Sequence, residues 1–182
     1  LSIEMAAREA RYDFLRKTAR RLARRTGAPV VIATAHTADD QAETLLLKLI
    51  RGAGRTGLAG IPPVAPFGDT RLVRPLLEVT RQEILSFLHD QREPWREDET
   101  NRDVTFLRNK VRHELLPLLE RGFNPALRDT LVRTADVLSA EDDWLTELAA
   151  GMLRACRAGR RAIAVPSLVR HPPAARRRVL RR

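Results

Sequence analysis

A short apolar run followed at once by a cluster of polar side chains is the feature that most constrains this fold. Residues 30–33 read Val-Val-Ile-Ala, which predicts a strand over residues 30–35 that is buried on both faces, as in a parallel sheet. A helical pattern over residues 39–51 follows and ends before Gly52. Where the strand meets the helix, the polar side chains are His36, just before the helix, and Asp39, Asp40, Gln41 and Glu43 in its first turns. The pattern therefore predicts a β-to-α unit, and ligands of open α/β sheets bind where such strands end.

The polar cluster has two interpretations. Thr37 or Asp39 could serve only as helix caps, because their oxygens accept hydrogen bonds from the free amides of a first helical turn. A cap requires one such side chain, however, and this stretch offers several. Neighbouring carboxylates can also bind Mg²⁺, which usually reaches a protein through one or two carboxylates together with substrate phosphates.

The remaining N-terminal sequence predicts one long helix and little more regular structure. The helix is expected over residues 3–25, ended by Gly27. Residues 52–69 are rich in Gly and Pro and predict a loop, and residues 72–73 predict a short strand. The apolar positions expected on the buried side of the long helix are Ile3, Ala7, Ala10, Phe14 and Leu22.

The C-terminal half predicts further helices and a domain boundary. Thr80 and Glu83 form a capping box at one helix start, and residues 104–120 predict another helix, kinked or ended by Pro117. Asn124-Pro125 is a typical helix start, so we expect the boundary near Gly122. The next helix is expected to join a second one through Trp144, Leu145 and Leu148, and residues 162–165 predict a strand.

The net positive charge comes entirely from the last segment of the chain. Residues 151–182 hold ten of the 33 basic residues, all arginines, and no Asp or Glu, which leaves 23 basic against 23 acidic residues elsewhere. This asymmetry favours a polyanionic partner, since the planar guanidinium suits phosphate. The alternative is a solvated helix face in an arginine-rich protein.

Composition excludes several classes of protein. No stretch approaches the roughly 18 apolar residues that a membrane span needs, so no membrane partner is expected. Cys156 is the only cysteine, which excludes an internal disulfide framework and a four-cysteine metal or iron–sulfur site.

The segment from His36 to Thr44 resembles the His-x-x-Asp-Asp-Gln-Ala-Glu-Thr signature of the tRNA(Ile)-lysidine synthetases, which belong to the PP-loop ATP pyrophosphatase superfamily. The resemblance is clear over residues 1–145 and weaker beyond. Further blocks occur in the family's order: Ala7-Arg8-Glu9-Ala10-Arg11-Tyr12, Arg51-Gly52-Ala53-Gly54, Gly57-Leu58-Ala59-Gly60-Ile61-Pro62-Pro63, Arg74-Pro75-Leu76-Leu77, Asp98-Glu99-Thr100-Asn101 and Arg108-Asn109-Lys110-Val111-Arg112.

The resemblance implies an α/β fold in which helices dominate. Residues 1–122 would be the C-terminal part of a Rossmann-like PP-loop domain with a parallel sheet, the fold of the adenine nucleotide alpha hydrolases. Residues 123–182 would be a mainly helical domain that binds tRNA or substrate. The family's phosphate loop, Ser-Gly-Gly-x-Asp-Ser, is not in this sequence. We therefore expect a fragment of a longer protein, inactive on its own.

The resemblance also implies a reaction. A ligase of this family uses ATP to adenylate the wobble cytidine of an isoleucine tRNA, and free lysine then displaces AMP to give lysidine through a new carbon–nitrogen bond. ATP and Mg²⁺ would be the cofactors. The expected partners are the anticodon region of tRNA(Ile), ATP and free lysine. A cytoplasmic location and a possible homodimer complete these expectations.

Site roles are carried over onto the matching positions. By resemblance, His36, Asp39, Asp40 and Glu43 are expected to be catalytic, with Asp39 and Asp40 as Mg²⁺ ligands and with His36, Arg51 and Gly52 at the nucleotide. The positions expected to contact tRNA are Asn101, Arg108, Asn109, Arg112 and Arg133.

Structural alternatives remain open for most of these positions. His36 could simply satisfy nearby backbone groups, and Gly52 could be a helix stop. Arg108 and Arg112, four residues apart on one helix face, could form salt bridges to Asp103 or Glu114. Asn101 could stabilise its own turn.

Two other functions remain open. The first is a non-catalytic RNA-binding module whose PP-loop features are vestigial. The second is another PP-loop tRNA-modifying ATP pyrophosphatase, although the thiolating members of the superfamily use cysteine clusters that this chain lacks. A GMP synthetase is disfavoured, because the Arg-Asn-x-x-Arg block and the basic end have no use there.

Overall fold

The computed structural model describes residues 3–159 and 162–181. Arg160, Arg161 and Arg182 of the arginine-rich segment, and the side chain of Ile3, lie outside this description. The elements are α1 (Ile3–Thr26), β1 (Val31–Ala33), α2 (Ala38–Ile50), α3 (Arg55–Leu58), β2 (Val64–Phe67), β3 (Thr70–Val73), α4 (Arg81–Asp90), a 3₁₀ turn (Glu99–Arg102), α5 (Leu107–Lys110), a π turn (Val111–Leu115), α6 (Leu116–Gly122), α7 (Leu127–Cys156), α8 (Val165–Val169) and α9 (Pro173–Leu180).

The three described strands form one mixed sheet in the order β1-β3-β2. β1 runs parallel to β3, with Ile32 opposite Leu72, and β2 runs antiparallel to β3. The strand predicted at residues 72–73 is therefore confirmed as part of β3. The loop predicted over residues 52–69 is wrong in part, because this stretch contains α3 and β2. Pro66 is tolerated in β2 because β2 lies at the sheet edge, where a missing N–H breaks no ladder.

The prediction that β1 is buried on both faces is wrong for this structure. Ile32 packs in a small core with Ala19 of α1 and Leu72 of β3, but Val31 on the opposite face is 58% exposed. The strand therefore has one covered face, the one on which α1 lies. The sequence pattern could not distinguish this arrangement, because a short continuous apolar run fits either kind of strand.

The helix α1 is confirmed, but its predicted buried side is displaced. Phe14 is 65% exposed, and Ala7 and Ala10 are exposed as well. The residues that pack against the sheet are Tyr12, Leu15 and Ala19. These positions follow helical spacing along a different face, and only Leu22 of the predicted stripe lies on that face, half-buried.

Both predicted capping motifs are present. Thr37 caps α2 in a capping box with Asp40, and Thr80 caps α4 in a capping box with Glu83. Hydrogen bonds from Thr80 lower the pKa of the Glu83 carboxyl, because they favour its charged form. After α2 the chain turns at Gly52 with a φ of 72°, a left-handed conformation that glycine adopts without strain.

The helix predicted over residues 104–120 is confirmed as a continuous helical run from Leu107 to Gly122 with a π turn inside it. Pro117 is the second residue after the π turn and does not end the helix. Proline has no N–H, and its ring crowds the carbonyl four residues earlier, at His113. The local widening to a π turn accommodates both effects.

The C-terminal half is simpler than predicted. The helix start predicted at Asn124-Pro125 is displaced: Oδ1 of Asn124 accepts from the amide of Ala126 at 3.0 Å in the turn before the helix, and α7 begins at Leu127 with Ala126 at its N-cap and no side-chain cap. The second helix predicted around Trp144 is wrong, because α7 continues for 30 residues with no proline or glycine before Gly151 to stop it. The strand predicted over residues 162–165 is also wrong: a single bridge joins Ile163 to Arg157, and α8 begins at Val165.

The main core joins residues from both sides of Gly122. The domain boundary placed there stays a prediction. The α7 residues in this core pack directly on α2 and on the helical run before Gly122. The buried side chains of the main core are Ala42, Leu45, Leu47, Val111, Leu116, Leu131 and Ala135.

Candidate functional site

The candidate site lies where β1 ends and α2 begins. The main chain there is fixed by the neighbouring segments: Thr34 N donates to Val73 O at 3.0 Å, and Ala38 N donates to Val79 O at 2.9 Å. Asp40 contributes one oxygen to the helix cap, since Oδ2 accepts from Thr37 N at 2.8 Å. The capping interpretation thus holds for Thr37, whose partner in the cap of α2 is Asp40 rather than Asp39, and Oδ1 of Asp40 is left available for another partner.

Glu43 is the buried centre of the site. Its exposure is 0%, and two arginines from the helical run after residue 107 reach it. Arg108 donates from Nε to Oε2 at 2.9 Å, and Arg112 donates from Nε to Oε1 at 2.5 Å and from Nη2 to Oε2 at 3.1 Å. Both carboxylate oxygens are therefore occupied by guanidinium donors.

Asp40 shares the same two arginines. Nη2 of Arg108 donates to Asp40 Oδ1 at 2.8 Å, and Nη2 of Arg112 lies 3.5 Å from the same atom. The pattern follows from helix geometry, because residues three or four apart on a helix share a face. The carboxylate pair of α2 thereby meets the arginine pair of the facing helix, and the four charges sum to zero.

The charge of Glu43 also acts on Arg112. Burial on its own lowers the pKa of Arg112, but the hydrogen bond to Glu43 and the negative charges of Glu43 and Asp40 raise that pKa above its usual value. The guanidinium is therefore held firmly in its charged form.

The sequence alternative of salt bridges for Arg108 and Arg112 is thus realised, with different partners from those expected. Their predicted contacts with tRNA phosphates stay a prediction, and both guanidiniums already have carboxylate partners. Neither Asp103 nor Glu114 pairs with them among the described ion pairs. The partners were missed because they lie 65 to 69 residues away along the chain.

Asp39 is held by a third arginine that sequence reasoning missed. Nη1 of Arg128, at the start of α7, donates to Asp39 Oδ1 at 2.9 Å, and the amide of Arg81 donates to Oδ2 at 2.7 Å. Arg128 also donates to Glu120 at 2.8 Å. No quoted motif contains Arg128, so nothing in the sequence singled it out.

His36 lies beside this network at the end of β1. Its Nδ1 is 2.9 Å from Thr34 Oγ1. Burial lowers the pKa of His36; the nearby carboxylate of Asp40 opposes this shift, and the positive charges of Arg74, Arg108 and Arg8 add to it. The surroundings therefore favour the neutral imidazole.

Asn109 and Asn101 belong to one loop-and-helix unit. Nδ2 of the buried Asn109 donates to Thr100 O at 2.9 Å and to Asp103 O at 2.8 Å. Nε2 of His113 lies 2.8 Å from Asn101 O, and Asn101 itself is exposed. The amide of Asn109 thus holds the loop that presents Asn101, while the tRNA contacts predicted for both residues stay predictions.

Three predicted positions lie away from this cluster. Arg51 and Gly52 follow the other end of α2, whose 13 residues separate them from the site by about 20 Å. The geometry of Gly52 fits the helix-stop alternative. Arg133 is exposed on α7 and makes only a long 3.5 Å contact with Thr130 Oγ1. Its guanidinium is therefore accessible from solvent.

The described side chains do not form a ready site for Mg²⁺. Within residues 3–159 and 162–181, no three His, Cys, Asp or Glu side chains converge as metal ligands. All four carboxylate oxygens of Asp39 and Asp40 accept hydrogen bonds from protein groups. Mg²⁺ binding by this pair stays a prediction.

Membrane spans are also absent from the described part of the chain, since none of its helices combines the length and the apolar character that crossing a bilayer requires.

Comparison with known proteins identifies related sequences. The PP-loop domain family matches residues 1–119. The chain is 43% identical to a tRNA(Ile)-lysidine synthase of Geobacter sulfurreducens over 100% of this chain and 38% of that protein. It is 45% identical to the protein of that name from Pseudomonas aeruginosa (86% of this chain, 34% of that protein) and 43% identical to the one from Salinispora arenicola (97% and 52%). The chain thus spans between about a third and a half of the length of these relatives.

Proposed function

The chain belongs to the PP-loop domain family, and we propose that it supplies part of the active site of a tRNA(Ile)-lysidine synthase. In this reaction ATP activates a cytidine of the tRNA, and the amine of free lysine displaces AMP. The observation that carries the proposal is the cluster of carboxylates and arginines at the start of α2. This cluster lies beside the carboxyl ends of two parallel strands, where α/β sheets bind ligands.

The carboxylates divide into two roles. Asp39 and Asp40 retain some exposure, 21% and 18% of their side chains, and we assign them to the lysine ammonium group, which needs negative charge. Glu43 is fully buried and is saturated by Arg108 and Arg112, so we assign it a positioning role: it fixes the two guanidiniums that in turn orient Asp40. His36, in its neutral form, is assigned to the nucleotide.

The exposed polar groups near the site are the candidates for tRNA contact. Arg133 has a solvent-accessible guanidinium that suits a phosphate, and Asn101 is exposed on a loop that Asn109 holds in place. Positive charge in the C-terminal segment would attract the anticodon region from a distance. A tRNA-modifying role implies the cytoplasm as its location, and the homodimer stays a prediction.

The direct test is lysine incorporation. The gene product that carries this chain should transfer radiolabelled lysine to tRNA(Ile) in an ATP-dependent reaction and release AMP and pyrophosphate. Asp40→Asn should lower the rate about a hundredfold while leaving the affinity for tRNA close to that of the wild type. The matched control is Asp90→Asn, at an exposed carboxylate of α4, which should keep the full rate.

Two outcomes would redirect the assignment. If tRNA affinity fell as steeply as the rate in Asp40→Asn, Asp40 would belong to the RNA surface rather than to the small-molecule site. If the gene product bound tRNA tightly but transferred no lysine, the non-catalytic RNA-binding function would be favoured.

A further inference from the structure

Arg74 differs from every other arginine near the site. It directly follows β3, and its Nη1 donates to the carbonyl of Pro62. Its Nε is buried without a hydrogen-bond partner, the one buried side-chain nitrogen or oxygen of the described residues in this condition. Burial lowers the pKa of the Arg74 guanidinium, since a desolvated charge is costly.

No described carboxylate compensates this charge. Arg108, Arg112 and Arg128 each form ion pairs with acidic side chains. The neighbours that act on Arg74 are instead Tyr12, whose side chain hydrogen-bonds it, and Arg8, which is another cation. A partly buried guanidinium that lacks an anion and sits near a second cation is unfavourable unless something negative joins it.

The neighbouring groups extend this positive cluster. The guanidinium carbon of Arg8 lies 5.0 Å from the centre of the Tyr12 ring, and the positive charges of both Arg8 and Arg74 act on His36. In the tautomer in which Thr34 Oγ1 donates to Nδ1 of His36, the ring proton lies on Nε2. Nε2 has no partner among the described residues, so in this tautomer its N–H is available to a ligand.

The position of Arg74 in the fold indicates which kind of anion would bind there. Arg74 follows β3 and His36 follows β1, and these two strands are parallel neighbours with Ala33 opposite Val73. Both side chains therefore start from the carboxyl edge of the sheet, where nucleotide phosphates bind in α/β folds. A guanidinium fork with a second cation matches the multiple charge and the several oxygens of a phosphate better than a single carboxylate.

From these observations we propose that Arg74, with Arg8 and His36, forms a binding site for the phosphate groups of the nucleotide. The proposal rests on the use of ATP in the proposed function. It assigns Arg74 as a phosphate-binding residue, Tyr12 as the side chain that positions Arg74 and Arg8, and Nε2 of His36 as a neutral donor to the same group.

The experiment measures pyrophosphate binding by titration calorimetry on the chain of residues 1–182. Arg74→Met keeps much of the side-chain length without the charge and should weaken binding about tenfold or more. Arg74→Lys should recover part of the lost affinity. The matched control is Arg71→Met, at an exposed position of β3, the strand that Arg74 follows; it should bind like the wild type.

Thermal unfolding without ligand separates binding from a structural role. Removing an uncompensated charge should leave the melting temperature of Arg74→Met unchanged or raise it, whereas a purely structural arginine would lower it. If Arg74→Met fails to fold, Arg8→Gln, at an exposed position of α1, tests the phosphate site instead. It should weaken pyrophosphate binding about threefold, and an unchanged affinity would overturn the proposal.

Further ligands identify the source of the anion. ATP should compete with pyrophosphate, while free lysine and a short single-stranded RNA should not. Wild-type affinity for pyrophosphate in Arg74→Met, no pyrophosphate binding by the wild type, or Arg74-dependent binding of the RNA alone would each overturn the assignment. Pyrophosphate binding that depends on Arg74, together with no lysine transfer by the gene product that carries this chain, would refute the proposed function and leave this site intact.

Discussion

Arg112 donates from both Nε and Nη2 to the carboxylate of Glu43, although 69 residues separate the two in sequence. This pair fastens the helical run that ends at Gly122 to the first turns of α2. Glu43 has no exposed surface, so its carboxylate belongs to the folded interior. The same carboxylate also holds the arginines of the candidate site.

Replacing Glu43 should destabilise the whole chain. In Glu43→Ala the guanidiniums of Arg108 and Arg112 lose their buried counter-charge, and we expect the free energy of unfolding to fall by about 3–5 kcal/mol. Urea unfolding followed by circular dichroism measures this change. Glu9→Ala, at an exposed position of α1, is the control and should change stability little. A loss for Glu43→Ala as small as that of the control would show that the pair contributes no net stability.

A salt titration of tRNA affinity should separate the free arginine from the paired ones. Arg133→Ala removes an accessible guanidinium and should flatten the dependence of log affinity on log salt by about one unit, as for one lost phosphate contact. Arg108→Met with Arg112→Met should leave this slope unchanged, because both guanidiniums are neutralised by Asp40 and Glu43. A slope reduced by two units in the double variant would instead assign both residues to the RNA surface.

Stability should fall on mild acidification through His36. Burial lowers the pKa of this side chain below its ordinary 6.5, so the folded chain binds fewer protons than the unfolded chain in this range. The contribution of His36 to the free energy of unfolding is therefore fully present above pH 6.5, and it decreases as the pH falls from there towards the pKa of His36 in the folded chain.

Substitution of the histidine tests this dependence. His36→Gln should flatten the decline in the free energy of unfolding between pH 7 and pH 5, measured by denaturant titrations at each pH. His89→Gln, at an exposed position of α4, should leave the decline as it is in the wild type. An identical pH profile for the His36 variant and the wild type would remove His36 from this explanation.

The basic helix α9 should also contribute to the stability of the fold, through Arg178. Nη2 of Arg178 lies 2.7 Å from Asp142 Oδ1 and donates to Thr146 Oγ1 at 2.7 Å, and the adjacent Val179 is buried. Arg178→Met should therefore cost about 2 kcal/mol in the free energy of unfolding and make α9 more sensitive to protease. Arg177→Met, on the exposed side of the same helix, should have neither effect. Equal protease sensitivity in the two variants would mean that α9 is not held by Arg178.

The sequence predicted helix ends well where the residues that set them lie next to those ends. The cap at Thr80 and the stop at Gly52 each depend on residues within one turn. The buried side of α1 was misplaced because it depends on where the sheet lies, which no short pattern contains. The partners of Arg108 and Arg112 were missed for the same reason, since a salt bridge across 65 residues has no periodicity to reveal it.

The π turn at Val111–Leu115 gives the helical run two independent faces. A π turn amounts to one extra residue in an α-helix, and each α-helical residue rotates the following side chain by about 100°. Upstream of the turn Arg108 faces the carboxylates, and downstream Leu116 is fully buried in the main core. Deleting a single residue within the turn would bring both ends into one helical phase. Either the arginines or the core leucine would then point in the wrong direction, so the length of this short segment is as constrained as its composition.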